Sequence, residues 1–147
     1  MEIAVLALGC FWGPEIKFDK LEGVTKTEVG YCGGNSDTVT YEKVCSGKTN
    51  HAEVVKLEFD PKKISYEEIL QYFFKIHDPT TLNAQGPDIG TQYRSEIFYL
   101  NDNQKIVAER VLKDVDDRMS GKVVTKISLL KNYCPAEEYH QKYLEKR

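Results

Sequence analysis

Apolar residues along the chain fall into short blocks that alternate with stretches in which apolar positions recur every three or four residues. The blocks predict five strands, at about Ile3–Leu8, Lys26–Tyr31, His51–Phe59, Glu96–Leu100 and Val123–Leu130. The stretches predict helices that begin near Phe11, after Ser65, after Asn101 and after Pro135. The first six elements follow the order β-α-β-β-α-β. We therefore predict an α+β fold with a ferredoxin-like split βαβ core in two layers, followed by an extra helix, an extra strand and a C-terminal helix.

Two of these helices carry clear end signals. Ser65 and Glu68 form a capping box, in which each side chain bonds the backbone of the other residue. Asn101 is a typical N-cap residue for the next helix, and Gly121 is typical of the position at which such a helix ends. The apolar residues of the capped helix that we predict to face the core are Ile69, Leu70, Phe73 and Ile76.

Two connections are longer than a compact domain usually needs. One runs from Cys32 to Asn50 and the other from His77 to Ser95. Loops of this length are mostly either disordered or functional. Both mix glycine, aromatic and charged residues, which is not the composition of a disordered segment. We therefore expect two ordered loops that carry a site.

Composition narrows the class of protein. The 147 residues suit one domain, 1–147, and 41% hydrophobic with 29% charged residues is typical of a globular chain. The net charge of −3 comes from interleaved acids and bases, which argues against nucleic acid and membrane surfaces as partners. The longest apolar run is too short to span a bilayer, and Glu2 makes a poor signal peptide. We expect a cytoplasmic protein, and a monomer.

Four cysteines are scattered through the sequence, and neither a CxxC pair nor a metal-ligand spacing is present. Cys10 lies between Gly9 and the predicted first helix, directly after the first strand. A thiol at a helix N-terminus is near the positive end of the helix dipole, which favours the thiolate. The alternative is a buried, inert cysteine among aromatic core residues. Position alone leaves the two interpretations about equal.

Glu53 is the second candidate. It shares strand parity with Val55, Leu57 and Phe59, so its side chain should point to the apolar side of the sheet. Burial disfavours the charged form, so we expect a raised pKa and a carboxylic acid able to donate a proton near neutral pH. The alternative is an edge position at which Glu53 reaches solvent.

Several short motifs occur in one order and spacing along nearly the whole chain. They are Gly9–Gly13, Val29–Tyr31 with Gly33 and Gly34, Thr40–Glu42, Cys45–Thr49, His51–Val55, His77–Asn83, Gln85 and Gly86 with Asp88, Gly90–Ser95, and Pro135–Gln141. Each is weak alone. Together they identify the sequence as similar to the peptide methionine sulfoxide reductase A family.

The resemblance implies a role for each site residue. Cys10 would attack the sulfoxide sulfur, and Glu53 would protonate the departing oxygen. Tyr41 and Tyr93 would hydrogen-bond that oxygen, and Asp88 would help to order the site. The residues implied to form an apolar wall for the substrate methyl group are Phe11 and Trp12. The family reduces the S epimer of methionine sulfoxide, free or in proteins, without a metal or organic cofactor.

Regeneration is where the sequence departs from the resemblance. Many members carry recycling cysteines beyond the Tyr-His-Gln segment, and no cysteine follows Gln141 here. We expect a one-cysteine mechanism in which an external thiol, such as thioredoxin, glutaredoxin with glutathione, or dithiothreitol, reduces the sulfenic acid. Cys134 and then Cys32 are the candidate resolving cysteines, while Cys45 matches the family pattern and is interpreted as structural.

Two other classes of function compete with a reductase. A cysteine hydrolase or acyl transferase would need a histidine base, for which His51 or His140 is available. A non-catalytic module could bind methionine sulfoxide or methionine-rich peptides through Phe11 and Trp12. The presence of Cys10 together with Glu53 argues against a module, because a binding cage has little use for an acid.

Overall fold

A computed structural model describes residues 1–35, 39–46 and 49–143. The strands are β1 (Glu2–Leu8), β2 (Val24–Cys32), β3 (Ala52–Phe59), β4 (Ala84–Gln85), β5 (Asp88–Ile89), β6 (Ser95–Tyr99), β7 (Lys126–Leu129) and β8 (Cys134–Pro135). The helices are α1 (Trp12–Asp19), α2 (Tyr41–Cys45), α3 (Tyr66–Lys75) and α4 (Asp102–Arg118), with 3-10 helices at Thr91–Tyr93 and Glu138–His140. Gly47 and Lys48, which belong to one of the matching motifs, lie outside the described residues.

The main sheet has the strand order β7-β6-β1-β3-β2-β8. Its central four strands are antiparallel and in the order of a ferredoxin-like core, which confirms the predicted α+β class. Strand β1 is central because it pairs with β3 on one side and β6 on the other, and its last five residues are buried. Strand β7 adds to β6 in parallel, so the extra helix and strand extend one edge.

Three helices cover one face of the sheet and enclose the main core. Their buried apolar side chains pack against inward-facing strand residues such as Leu6, Val55 and Leu57. The capping box of α3 forms as predicted, with Ser65 Oγ accepting from Glu68 N at 3.0 Å. Asn101 caps α4 in the same way. Of the residues predicted to face the core from α3, Ile76 is only half-buried.

The opposite face carries a smaller core that includes Cys32, Val54 and Phe98. Leu130 and Tyr133, which follow β7, pack against it. Successive side chains along a strand point to opposite faces of the sheet. Cys32 pairs with Ala52, the neighbour of Glu53, so Cys32 and Glu53 lie on opposite sides of the sheet.

The C-terminal part begins with a strand that the sequence did not predict. Cys134 and Pro135 form the edge strand β8 on β2, and a 3-10 helix follows at Glu138–His140 within the described residues. The reason is that Gln141 bonds both backbone groups of Val29 through its side chain, at 2.9 Å each, which holds the chain along the sheet edge. The fifth predicted strand is also shorter than expected, since β7 begins at Lys126.

Both long loops are ordered over the residues that the structure describes. The first contains α2, whose cap Thr40 accepts from Lys43 N at 3.3 Å. The second contains the β4–β5 hairpin and the first 3-10 helix. No helix within the described ranges is long and apolar enough to cross a bilayer.

Candidate active site

The end of β1 positions a thiol at the N-terminus of α1. Gly9 has a φ of +101°, a left-handed conformation that glycine adopts without strain. A Cβ at Gly9 would lie 2.8 Å from Gln85 Cβ, so glycine also allows the second long loop to approach the end of β1. The next residue, Cys10, is half-buried. The turn therefore leaves the thiol accessible beside a loop.

Glu53 is buried on the helical face of β3, with 1% of its surface exposed. Its Oε1 accepts from the backbone N–H of Phe11 at 3.3 Å, which places the carboxyl group beside the residue that follows Cys10. Its Oε2 has no hydrogen-bond partner among the residues that the structure describes. Burial raises the pKa of Glu53 to about 8, despite the Phe11 hydrogen bond. The expected rise in this pKa is confirmed, and the group is mostly a neutral acid at pH 7.

The thiol itself is not a thiolate at rest. Burial raises the pKa of Cys10 to about 11, while the backbone of Trp12 lowers it and the charges of Glu53 and Asp88 raise it further. The start of α1 does lower this pKa through the backbone of Trp12, as expected, but the net shift is upward and the resting thiolate that we expected does not form. The physical reason is that desolvation outweighs the stabilisation offered by the start of the short helix α1.

The two long loops bring two phenols to this thiol and acid. Tyr41 begins α2, and Tyr93 ends the first 3-10 helix. Burial raises the pKa of Tyr93 to about 12, and the nearby charges of Glu53 and Cys45 add to the effect. Burial also raises the pKa of Tyr41. Both side chains are thus neutral hydrogen-bond donors.

Asp88, in the hairpin of the second loop, is close enough to act on the same groups. Its charge raises the pKa of Cys10, of Glu53 and of Tyr93. The structure therefore brings together all five residues that the sequence singled out for chemistry, from four separate segments of the chain.

An aromatic cluster lies behind the thiol. Phe11 is 1% exposed and packs on Tyr31 and His140, with ring centroids 5.8 and 5.3 Å apart. Trp12 is half-exposed, its Nε1 donates to His140 Nδ1 at 3.1 Å, and Tyr143 stacks on it at 3.9 Å. The indole is thus the accessible part of the predicted apolar wall, while Phe11 is buried and contacts the same His140 ring.

Sequence reasoning placed His140 behind the site but missed the part that Glu137 plays in this cluster. Glu137 accepts from the hydroxyl of Tyr31 at 2.9 Å and from the backbone N–H of Tyr41 at 3.1 Å. His140 contacts Phe11, Trp12 and Tyr41. The signal was available, because both residues belong to the matching motif Pro135–Gln141.

Buried polar contacts lock the two loops to the sheet. Arg94 donates to Glu96 Oε1 at 2.7 Å and to Asn50 O at 3.1 Å, and so ties the end of one loop to the end of the other. His77 Nε2 lies 2.8 Å from Ser95 Oγ. Burial lowers the pKa of His77 to about 4, so the ring is neutral and structural.

The remaining thiols take different positions. Cys32 is buried on the far face, and its Sγ donates to Lys131 O at 3.2 Å. Cys134 is half-buried at the sheet edge, with Val39 O at 3.7 Å from its Sγ. Cys45 hydrogen-bonds Tyr41, and its charge contributes to the raised pKa of Cys10. Among the described residues, no three acidic, cysteine or histidine side chains form a group that could hold a metal ion.

A half-buried thiol, a neutral buried acid and two phenols on this scaffold define a thiol-dependent oxidoreductase. Residues 2–147 match the family model of peptide methionine sulfoxide reductase, and the chain belongs to that family. It is an oxidoreductase that acts on the sulfur of methionine sulfoxide, and the non-catalytic binding module is not favoured.

Individual relatives agree with this assignment. A peptide methionine sulfoxide reductase MsrA from Pelagibacter ubique (strain HTCC1062) is 78% identical over 147 residues and is covered, like this chain, over its full length. Reduced Mxr1 from Saccharomyces cerevisiae superposes with a TM-score of 0.95 at 40% identity, over 99% of this chain and 85% of that one. Mxr1 in complex with Trx2 superposes at 0.69 and 26% identity, over 97% and 84%.

Proposed function

We propose that Cys10 reduces methionine-S-sulfoxide and that Glu53 is its proton donor. The observation that carries this proposal is the buried carboxyl group of Glu53, hydrogen-bonded to the backbone next to Cys10 and with a pKa near 8. Sulfoxide oxygen leaves poorly unless it is protonated, and a neutral acid at this position can protonate it.

The chemistry balances without a metal or an organic cofactor. Cys10 sulfur bonds the sulfoxide sulfur while Glu53 protonates the oxygen, and the proton of the thiol restores Glu53. A second proton from Glu53 lets the substrate S–O bond break with release of water. Water then attacks the sulfur of Cys10 and returns its proton to Glu53. The bond between Cys10 and the substrate sulfur breaks with its electron pair on methionine, and Cys10 is left as a sulfenic acid. The substrate sulfur is reduced by two electrons, and the sulfur of Cys10 is oxidised by two.

The phenols and the aromatic wall orient the substrate. Tyr41 and Tyr93 donate hydrogen bonds to the sulfoxide oxygen without adding a charge that would oppose protonation of Glu53. Trp12, backed by Phe11, receives the methyl group through dispersion and sulfur–aromatic contacts. Asp88, whose charge acts on Cys10, Glu53 and Tyr93, helps to order the site. Cys10 attacks the substrate sulfur from a fixed direction, and the oxygen and the methyl group have separate sites. Only one epimer at that sulfur satisfies all three requirements, and we assign it as S.

An external thiol regenerates Cys10 in our proposal. Neither candidate resolving cysteine is well placed: Cys32 lies on the opposite sheet face, and Cys134 lies on the edge strand beyond β2. Attack by a thiol of thioredoxin, or of glutathione with glutaredoxin, would release water and leave a mixed disulfide that a second thiol reduces. The Mxr1 complex with Trx2 supports thioredoxin. We further propose a single-domain monomer in the cytoplasm, where reductants of this kind are present.

The test is a stereochemical assay with matched thiol variants. The purified protein is incubated with dithiothreitol and a racemic methionine sulfoxide derivative, and the epimers are separated by chiral chromatography. We expect loss of the S epimer only, and no loss with Cys10→Ser. A variant with Ser at Cys32, Cys45 and Cys134 should retain the activity. Persistence of both epimers in the wild type would refute the proposed function, and inactivity of the triple variant would refute the one-cysteine mechanism.

A further inference from the structure

A second buried carboxyl group lies outside the proposed chemistry. Glu15, in the first turn of α1, is 1% exposed. Its Oε1 accepts from the backbone N–H of Lys142 at 2.6 Å, and its Oε2 accepts from Thr27 Oγ1 at 3.0 Å. Burial raises its pKa, and these two hydrogen bonds lower it. Burying a carboxyl group costs free energy of folding unless hydrogen bonds compensate for the lost contacts with water.

The bond to Lys142 fastens a segment that we call the C-terminal strap, residues 136–143. The strap lies along β2, where Ala136 N donates to Val29 O at 3.0 Å. Lys142 has a φ of +51°, the left-handed region that a residue with a side chain occupies only when its surroundings require it. The same residue's Nζ lies 3.2 Å from Asp19 Oδ1. The strap is therefore held in a strained conformation at the point where Glu15 bonds it.

The strap carries the two side chains that orient the indole. His140 accepts from Trp12 Nε1, and Tyr143 stacks on the same ring with an interplanar angle of 15°. Trp12 and Glu15 are three residues apart in α1 and so lie on the same side of the helix. The helix thus contacts the strap twice, at the indole and at the carboxylate one turn later.

We propose that Glu15 is a positioning residue that clamps the C-terminal strap on α1 and thereby fixes Trp12 for substrate binding. The proposal rests on the proposed role of Trp12 as the wall of the methyl site. Loss of the clamp frees the Lys142 end of the strap, and His140 and Tyr143 then no longer hold the ring in one orientation. Glu137, at the other end of the strap, still holds Tyr41 through its backbone N–H, so we expect the chemical step at Cys10 to change much less than substrate binding.

The chain contains one tryptophan, so its fluorescence reports on Trp12 alone. We expect Glu15→Leu, which removes both acceptors, to shift the emission to longer wavelength and increase quenching by acrylamide. The KM for a peptide sulfoxide should rise about threefold to tenfold, with kcat changed less than about twofold. Glu15→Gln keeps an acceptor for Lys142 and should restore the wild-type emission and KM.

Lys142 provides an independent pair of variants in a half-exposed segment, in case Glu15→Leu does not fold. Lys142→Pro lacks the N–H and cannot adopt a positive φ, so it should reproduce the Glu15→Leu emission and KM. Lys142→Gly keeps the N–H and relieves the strain, so it should match the wild type. Folded Glu15→Leu or Lys142→Pro with wild-type emission and KM would overturn the proposal. Because fluorescence needs no turnover, an inactive wild type would refute the proposed function without deciding this one.

Discussion

Replacing Glu53 by glutamine distinguishes the role of this carboxyl group in catalysis from the effect of its ionisation on the stability of the fold. The pKa of Glu53 is about 8 in the folded chain, against an ordinary value of 4.5. Between these two values the unfolded chain has released the proton and the folded chain has not. The stability of the wild type therefore falls as the pH rises from 4.5 to 8, and ionisation adds no further loss above that.

The size of the effect follows from the pKa and the pH interval. Each pH unit in this window costs the wild type about 1.4 kcal/mol, so about 3 kcal/mol should be lost from about pH 6 to about pH 9. Glutamine at position 53 has no such dependence, and its carbonyl oxygen can keep the hydrogen bond from Phe11 N. Its amide adds an unpaired buried donor, which lowers stability by a similar amount at every pH.

The assay is chemical denaturation of both proteins at the two pH values, together with kcat/KM. The difference in unfolding free energy between variant and wild type should move in favour of Glu53→Gln by about 3 kcal/mol at the higher pH. The variant should lose at least about 100-fold in kcat/KM at the lower pH, as expected when a general acid is removed. At the higher pH the loss relative to wild type should be about tenfold smaller, because Glu53 with a pKa of about 8 is then mostly ionised in the wild type. If the difference in unfolding free energy between variant and wild type changes by less than about 1 kcal/mol between the two pH values, Glu53 is not a buried neutral acid.

Four further substitutions test the site and the contacts that support it. Tyr41→Phe and Tyr93→Phe should each lower kcat/KM about tenfold with little loss of stability, measured by kinetics and thermal unfolding; unchanged kinetics would remove the phenols from the mechanism. Arg94→Met should cost about 3–5 kcal/mol by denaturant titration, because it strands a buried carboxylate, and a cost below about 1 kcal/mol would contradict this. Gly9→Ala should cost about 1–3 kcal/mol and lower activity, because its Cβ would meet Gln85; an unaffected variant would show that this approach is not needed.

Local patterns were enough to locate the four central strands and the helices α1, α3 and α4, and to single out Cys10 and Glu53 as candidates. The alternation of β3 placed Glu53 on the same side as Val55, and its burial followed from that. The capping signals at Ser65 and Asn101 gave helix starts that the structure confirms. The roles implied for Cys10, Glu53 and the other site residues came from a resemblance and stay predictions until the variants are measured.

Strand parity and helix caps depend on neighbours close in the chain, so the sequence by itself determined the α+β core and the inward side of Glu53. The protonation of Cys10, the burial of Phe11 and the path of the C-terminal strap along β2 depend on contacts between distant segments. Glu15 and Lys142 are 127 positions apart, and Trp12 and His140 are 128 apart. Desolvation and long-range hydrogen bonds depend on which surfaces meet after folding, and only the tertiary structure decided those.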